Sequence, residues 1–198
     1  MRRVGRRRFL ATVSAGVVGS SGCTSDGGDG NEGVVRPSGE PAVLPPPLEC
    51  DDDSFDRLDQ HFTEDDFAWG DHPDEPVHLR VPRTSYVLGE AVTISLTNAG
   101  QAAVETGHRS KYSVQLRTEA GWQDVRGARA DVTTAYPDVL VTHDPGDGFE
   151  WTPVLTGEGL IGTFEVMRVC PALQPGRYRF VYWGLSGDAA VGVAFDVA

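Results

Sequence analysis

From Val77 to the C-terminus, apolar and polar residues alternate with a period of two. Val77, Leu79 and Val81 alternate with His78 and Arg80; Val92, Ile94 and Leu96 alternate with Thr93, Ser95 and Thr97. Tyr112, Val114 and Leu116 alternate in the same way with Ser113, Gln115 and Arg117. Successive side chains of a strand point to opposite sides, so this pattern predicts strands with one buried and one wet face. Glu119-Ala120-Gly121 reads as a short turn leading into Trp122 to Val125, which makes 112–125 a hairpin. Further strands are expected near 139–142, 149–155 and 163–168. The closing pair is the clearest: Tyr178, Phe180 and Tyr182 alternate with Arg179 and Val181, then Val191, Val193, Phe195 and Val197 with Gly192, Ala194 and Asp196. No long helical pattern competes. About seven short strands punctuated by turns predict an all-β fold, a β-sandwich over 77–198. Tyr178, just after a Pro-Gly turn at the start of a strand, suits the tyrosine corner of such sandwiches.

Upstream the pattern changes twice. Residues 49–76 form an acidic extension that also carries Phe55, Leu58, Phe62, Phe67 and Trp69. Ser54 as a cap and the spacing of Phe55, Leu58 and Phe62 predict a short helix there, lying against the sandwich. Residues 23–48 are rich in Gly, Asp, Ser, Pro and Glu and end in Pro45-Pro46-Pro47. With few large apolar groups to offset the entropy of ordering, this stretch is expected to be a disordered tether.

The first 22 residues have the three parts of an export signal: a basic start, an apolar run from Ala11 to Val18, and small residues before Cys23. Arg6-Arg7-Arg8-Phe9-Leu10 resembles the twin-arginine pattern, with Arg6, Arg7, Phe9 and Leu10 in the recognised positions, and Ser20-Ser21-Gly22-Cys23 resembles a lipobox. The resemblance implies lipid attachment at Cys23 and a location on the outer face of the cytoplasmic membrane. The remaining cysteines, Cys50 and Cys170, are an even pair in an oxidising compartment and are expected to form a disulfide.

Net charge is −12, from 17 basic and 29 acidic side chains. Removing the signal takes five arginines with it and leaves 12 against 29, or −17. Lys111 is the only lysine. This Lys-poor, Asp-rich surface resembles that of salt-adapted haloarchaeal proteins, and dense like charge predicts a requirement for molar salt. Cooperative folding in dilute buffer would sink that expectation. The same balance argues against nucleic acid, because no basic patch is available to neutralise phosphates.

Ser85-Tyr86-Val87-Leu88-Gly89-Glu90-Ala91-Val92, running through alternating positions to Asn98, resembles the strand start of bacterial immunoglobulin-like (Big-type) domains on secreted and lipid-anchored proteins. The Gly121-Trp122 hairpin, Phe149-Glu150-Trp151 and the Leu-x-Pro-Gly-x-Tyr-x-Phe ending are similar to it as well. The resemblance implies a fold and a location rather than an activity.

Candidate chemistry is sparse. Gly157-Glu158-Gly159-Leu160-Ile161-Gly162 matches a dinucleotide fingerprint only literally, lacks a βαβ setting and reads as a loop. Gly184 to Asp188 reads as a hairpin turn, and Asp144-Pro145-Gly146-Asp147-Gly148 as another turn. His61, Asp71, His72 and His78 bring nitrogen and oxygen ligands into one stretch, but without the fixed spacing of a metal site the stretch reads first as a solvated acidic face. His108 and His143 are expected in loops or on the rim. Of Trp69, Trp122, Trp151 and Trp183, at least two are expected in the core, with an exposed aromatic strip for a sugar or a partner as the alternative. No Ser/His/Asp or Cys/His set has positional support, and no cofactor is implied.

The sequence therefore leads to the expectation of a non-enzymatic, lipid-anchored surface protein. It would touch the membrane through Cys23 and present its immunoglobulin-like domain to another envelope protein. The alternative is a lipoprotein that binds a metal ion or a carbohydrate for a transporter or surface enzyme. An exposed apolar patch would favour the first; paired Trp or converging His and carboxylates in a concave site would favour the second.

Overall fold

A computed structural model describes residues 33–162, 164 and 166–198. Arg6, Arg7, Phe9, Leu10 and Cys23 lie outside the described residues. In chain order the strands are β1 (Phe55–Arg57), β2 (Phe67–Trp69), β3 (Val77–Arg80), β4 (Ser85–Tyr86), β5 (Ile94–Asn98), β6 (Val104–Thr106) and β7 (Tyr112–Thr118). They continue with β8 (Gly121–Asp124), β9 (Arg126–Arg129), β10 (Val141–His143) and β11 (Gly148–Trp151), the short helix α1 (Gly157–Ile161), β12 (Arg168–Val169), β13 (Gly176–Tyr182) and β14 (Ala190–Val197).

The architecture is an all-β sandwich. One sheet runs β2-β14-β13-β7-β8, with β4 also on β14, and the opposing sheet runs β11-β5-β3. Two small sheets, β1-β9-β12 and β10-β6, lie beside them. The alternation read from the sequence fills the space between the layers. Val114, Leu116, Tyr178, Phe180, Val193 and Phe195 from the large sheet meet Leu79, Ile94, Leu96 and Trp151 from the smaller one in a single cluster. Tyr178 makes the predicted corner: its hydroxyl donates to the Gln174 carbonyl at 2.7 Å.

The free edge of β14 is covered in pieces. β2 pairs in parallel with Ala190–Gly192, Val35 accepts from the Ala194 amide at 2.8 Å, and β4 pairs in parallel with Asp196 and Val197. Three segments distant in sequence thus close an edge that would otherwise invite intermolecular pairing.

Three expectations are corrected. The extension 49–76 is not helical: Phe55–Arg57 pairs with Gly127–Arg129, and Phe67–Trp69 with β14. Strand edges offer those segments hydrogen-bond partners along their whole length, and the period of Phe55, Leu58 and Phe62 does not outweigh that. Secondly, the described part of the stretch expected as a disordered tether, 33–48, is tied to the sandwich. Val34 exchanges backbone hydrogen bonds with Val81 (2.7 and 3.0 Å), Pro45 accepts from Glu119, and Leu48 is buried with its amide on Gln123 Oε1. Backbone pairing needs no large side chains, so composition alone misjudged it. Thirdly, the strand expected over 163–168 shrinks to Arg168–Val169, although Met167 is buried.

Cys50 and Cys170 form a disulfide with Cα atoms 5.6 Å apart and a sequence separation of 120. It fastens the extension beside β12. Arg57 reinforces the junction, donating to the carbonyls of Asp124 (2.6 Å), Cys170 (3.0 Å) and Leu48 (3.0 Å).

Candidate functional site

The alternation that sends Tyr178, Phe180 and Tyr182 inward sends Arg177 and Arg179 to the other face of β13. That outer face is not simply wet. The extension folds over it as a third layer, where Phe62, Phe67 and Trp183 pack on Val181 and Ala190. Arg179 lies inside this layer with 0% of its surface exposed. Its Nε donates to Gln115 Oε1 at 2.6 Å, and its Nη2 and Nη1 donate to the two carboxylate oxygens of Glu64 at 2.7 and 3.2 Å. The guanidinium carbon stands 5.4 Å from the Phe62 ring centre, 5.0 Å from Phe67 and 4.6 Å from Trp122. Burial draws the Arg179 pKa below the usual guanidinium range, against the opposing pull of Glu64. The hydrogen bond from Arg179 in turn holds Glu64 below the usual carboxylate range.

Beside this hub the face opens into a groove of about 290 Å³. Trp69 from β2 and Trp122 from β8 form its floor, with ring centres 6.3 Å apart and planes inclined at 58°. Each indole is placed by a backbone feature. Gly192 lies opposite Trp69, and a Cβ there would sit 2.6 Å from the Phe67 ring, so only glycine lets β2 close onto β14. Gly121, with φ of 102°, makes the turn that delivers Trp122 across from Arg117. The walls come from Arg36 to Glu40 and from Arg177. Arg177 is committed, with two hydrogen bonds to the Asp196 carboxylate (2.8 and 3.0 Å) and one to the Gly39 carbonyl. Arg36 lies over Trp69 at 5.3 Å, and Arg117 lies 5.7 Å from the Trp122 ring centre.

The four tryptophans thus divide differently from expectation. Only Trp151 is in the core, where its Nε1 donates to the Arg109 carbonyl at 2.8 Å, while Trp69, Trp122 and Trp183 are half-buried on the outer face. The acidic extension supplies aromatic cover for that face, which leaves its indoles partly open.

The residues considered as metal ligands are drawn into other contacts. His61 packs on Trp183 (4.4 Å between ring centres) and Tyr136 (5.4 Å). Asp71 Oδ1 pairs with Arg80 at 2.6 Å and lies 3.5 Å from His78 Nε2, and His72 Nδ1 accepts from the Asp74 amide at 3.3 Å. Among the described residues no three His, Cys, Asp or Glu side chains converge as metal ligands.

The remaining motifs resolve as local structure. Gly157 to Ile161 forms α1 rather than a loop, because the Thr156 hydroxyl caps it by accepting from the Gly159 amide at 3.0 Å. Gly184 to Asp188 lies in the connection between β13 and β14, and Asp144 to Asp147 closes a turn through a 2.8 Å backbone bond. His143 is buried rather than on the rim, with Nε2 2.9 Å from Thr106 Oγ1, and burial lowers its pKa.

A second cavity, of about 380 Å³, is lined by His108, Ser110, Tyr112, Trp151 and Phe164 among others. There His108 Nδ1 lies 2.8 Å from Ser110 Oγ and also accepts from the Ser110 amide at 3.3 Å. Two contacts across two residues make this a turn lock, and among the described residues no carboxylate hydrogen-bonds to His108.

A scan against protein-family models matches none, and a search of the curated proteins finds no match.

Proposed function

We propose that the chain is a non-enzymatic, lipid-anchored cell-surface protein whose immunoglobulin-like sandwich recognises another envelope component through the outer face of its six-stranded sheet. The observation that carries this reading is the groove of Trp69 and Trp122. Two half-buried indoles and the guanidinium groups of Arg36 and Arg177 share one concave surface, and aromatic and Arg side chains are the ones that anchor recognition surfaces. The export signal and Cys23 supply the location. Val34 is fastened to the sandwich through backbone hydrogen bonds with Val81.

The paired indoles in a concave site also favour a second reading, a small-ligand lipoprotein serving a transporter or surface enzyme. Crosslinking of the full-length protein on intact cells in native salt, followed by mass spectrometry, tests the first. One reproducible envelope partner, lost in Trp122→Ala, supports it; capture that ignores Trp122→Ala removes the groove from the account. Cys23→Ala should release the protein from the membrane, and unchanged association would end the anchor reading.

A further inference from the structure

The arginines of the described residues are almost all committed. Arg80, Arg83, Arg126, Arg129, Arg168, Arg177 and Arg179 each pair with a carboxylate, Arg57 donates to three carbonyls, and Arg109 donates to the Glu150 carbonyl. Among the described residues only Arg36 and Arg117 have neither a side-chain hydrogen bond nor an ion pair. Arg36 lies on Trp69 and lines the groove, whereas Arg117 lies on Trp122 outside the lining, near Glu64. In a chain with 29 carboxylates, a guanidinium group on the groove wall without a carboxylate among the described residues marks where an outside anion fits.

The shape of the floor narrows the ligand. With ring centres 6.3 Å apart and planes at 58°, the indoles touch each other and form a V. A flat base has no slot between them. A puckered ring with C–H groups on its faces can rest in the V. The walls point the same way: Glu40, Ser38 and the backbone between Arg36 and Glu40 offer acceptors and donors for hydroxyl groups, and Glu40 disfavours a ligand that is anionic throughout. We infer that the groove binds an anionic saccharide, a pyranose chain bearing carboxylate or sulfate groups. The acid group takes Arg36 in a two-point hydrogen bond, sugar rings lie on Trp69 and Trp122, and hydroxyls reach Glu40 and Ser38. In molar salt the field is screened within about 3 Å, so recognition rests on direct contact rather than long-range attraction.

This inference rests on the groove being the recognition surface proposed above, and it names the partner's chemistry. The test titrates the full-length protein in detergent and native salt with oligogalacturonate, a neutral galacto-oligosaccharide and anionic phospholipid vesicles, following tryptophan fluorescence and heat. Oligogalacturonate is expected to bind at least about tenfold more tightly than the neutral sugar, and Arg36→Gln to lose about tenfold. Trp122→Phe should weaken both sugars. Melting curves of the variants establish that they fold, since among the described residues Arg36 carries no side-chain hydrogen bond or ion pair. Equal affinity for acidic and neutral sugars, no sugar binding, unchanged binding by Arg36→Gln, or groove-dependent binding to the vesicles instead would each overturn the inference. Failure of sugar binding while crosslinking to an envelope protein still depends on Trp122 overturns only this inference; loss of both overturns the proposed function as well.

Discussion

The two faces of the six-stranded sheet are held by different physics. On the inner face Val114, Leu116, Phe180, Val193 and Phe195 meet the opposing sheet in an apolar layer, whose polar atoms include tyrosine hydroxyls and the Trp151 indole nitrogen. Burial pushes the Tyr178 and Tyr182 hydroxyls up to about 12, so these two stay neutral at any ordinary pH. On the outer face the central side chain is a guanidinium, Arg179, enclosed by aromatic rings and tied to Glu64. The inner layer is stabilised by area removed from water; the outer layer depends on a buried charge keeping its partners. That difference teaches where the molecule can open. Loss of an inner contact should unfold the whole domain, whereas loss of the outer hub should loosen the extension first.

The largest expected effect tests whether the extension is fastened covalently as well as by packing. Replacing both Cys50 and Cys170 with Ser opens a loop spanning a sequence separation of 120 and should lower stability by up to about 5 kcal/mol in the chain-entropy model, read by denaturant unfolding. Equal midpoints for oxidised and reduced protein would remove the bridge as a stabilising element. On the inner face, Phe180→Ala should cost about 3–5 kcal/mol with one cooperative transition.

Arg179→Ala sharpens the contrast. It leaves Gln115 and Glu64 without their donor and should cost about 2–4 kcal/mol. Hydrogen exchange should then rise in 58–67 before it rises in β7 and β13. Simultaneous loss of protection in both regions would show that the two faces are one unit after all. Tyr178→Phe removes the hydroxyl that bonds the Gln174 backbone and should cost about 1 kcal/mol.

The smallest effect is the most selective. Glu64 is half exposed, with 56% of its side chain accessible, so Glu64→Gln should cost under about 1 kcal/mol at neutral pH. Because the folded state lowers the Glu64 pKa from its ordinary 4.5, the stability it contributes is present above pH 4.5 and is lost as pH falls below that value. The wild type should therefore show a step in stability in that acid window that Glu64→Gln lacks. An identical pH profile for the two would detach Glu64 from the hub.

Much of this was legible from residue order. The strands from 112 to 125 and from 178 to 197 lie where the alternation places them, and Tyr178 makes the corner that its turn implies. The pairing of Cys50 with Cys170 is the one expected of the two cysteines left once Cys23 is set aside. The site was not legible. Arg179 occupies a position that alternation marks as wet, and only a segment 115 residues earlier in the chain, carrying Glu64, makes it buried. Trp69 and Trp122 lie far apart in sequence, on strands at opposite ends of one sheet order, and nothing local says that they share a groove.

What the sequence determined by itself is what depends on neighbours along the chain: the two-residue period, the turns, the charge balance and the cysteine count. Which faces stay wet was decided only by the tertiary structure. Exposure depends on what else packs there, and a segment can cover a sheet through backbone hydrogen bonds and a few aromatic rings that leave no periodic mark in the sequence. The placing of Arg36 over Trp69 on the groove wall is a consequence of the same kind, since it depends on segments far apart in sequence meeting on one face.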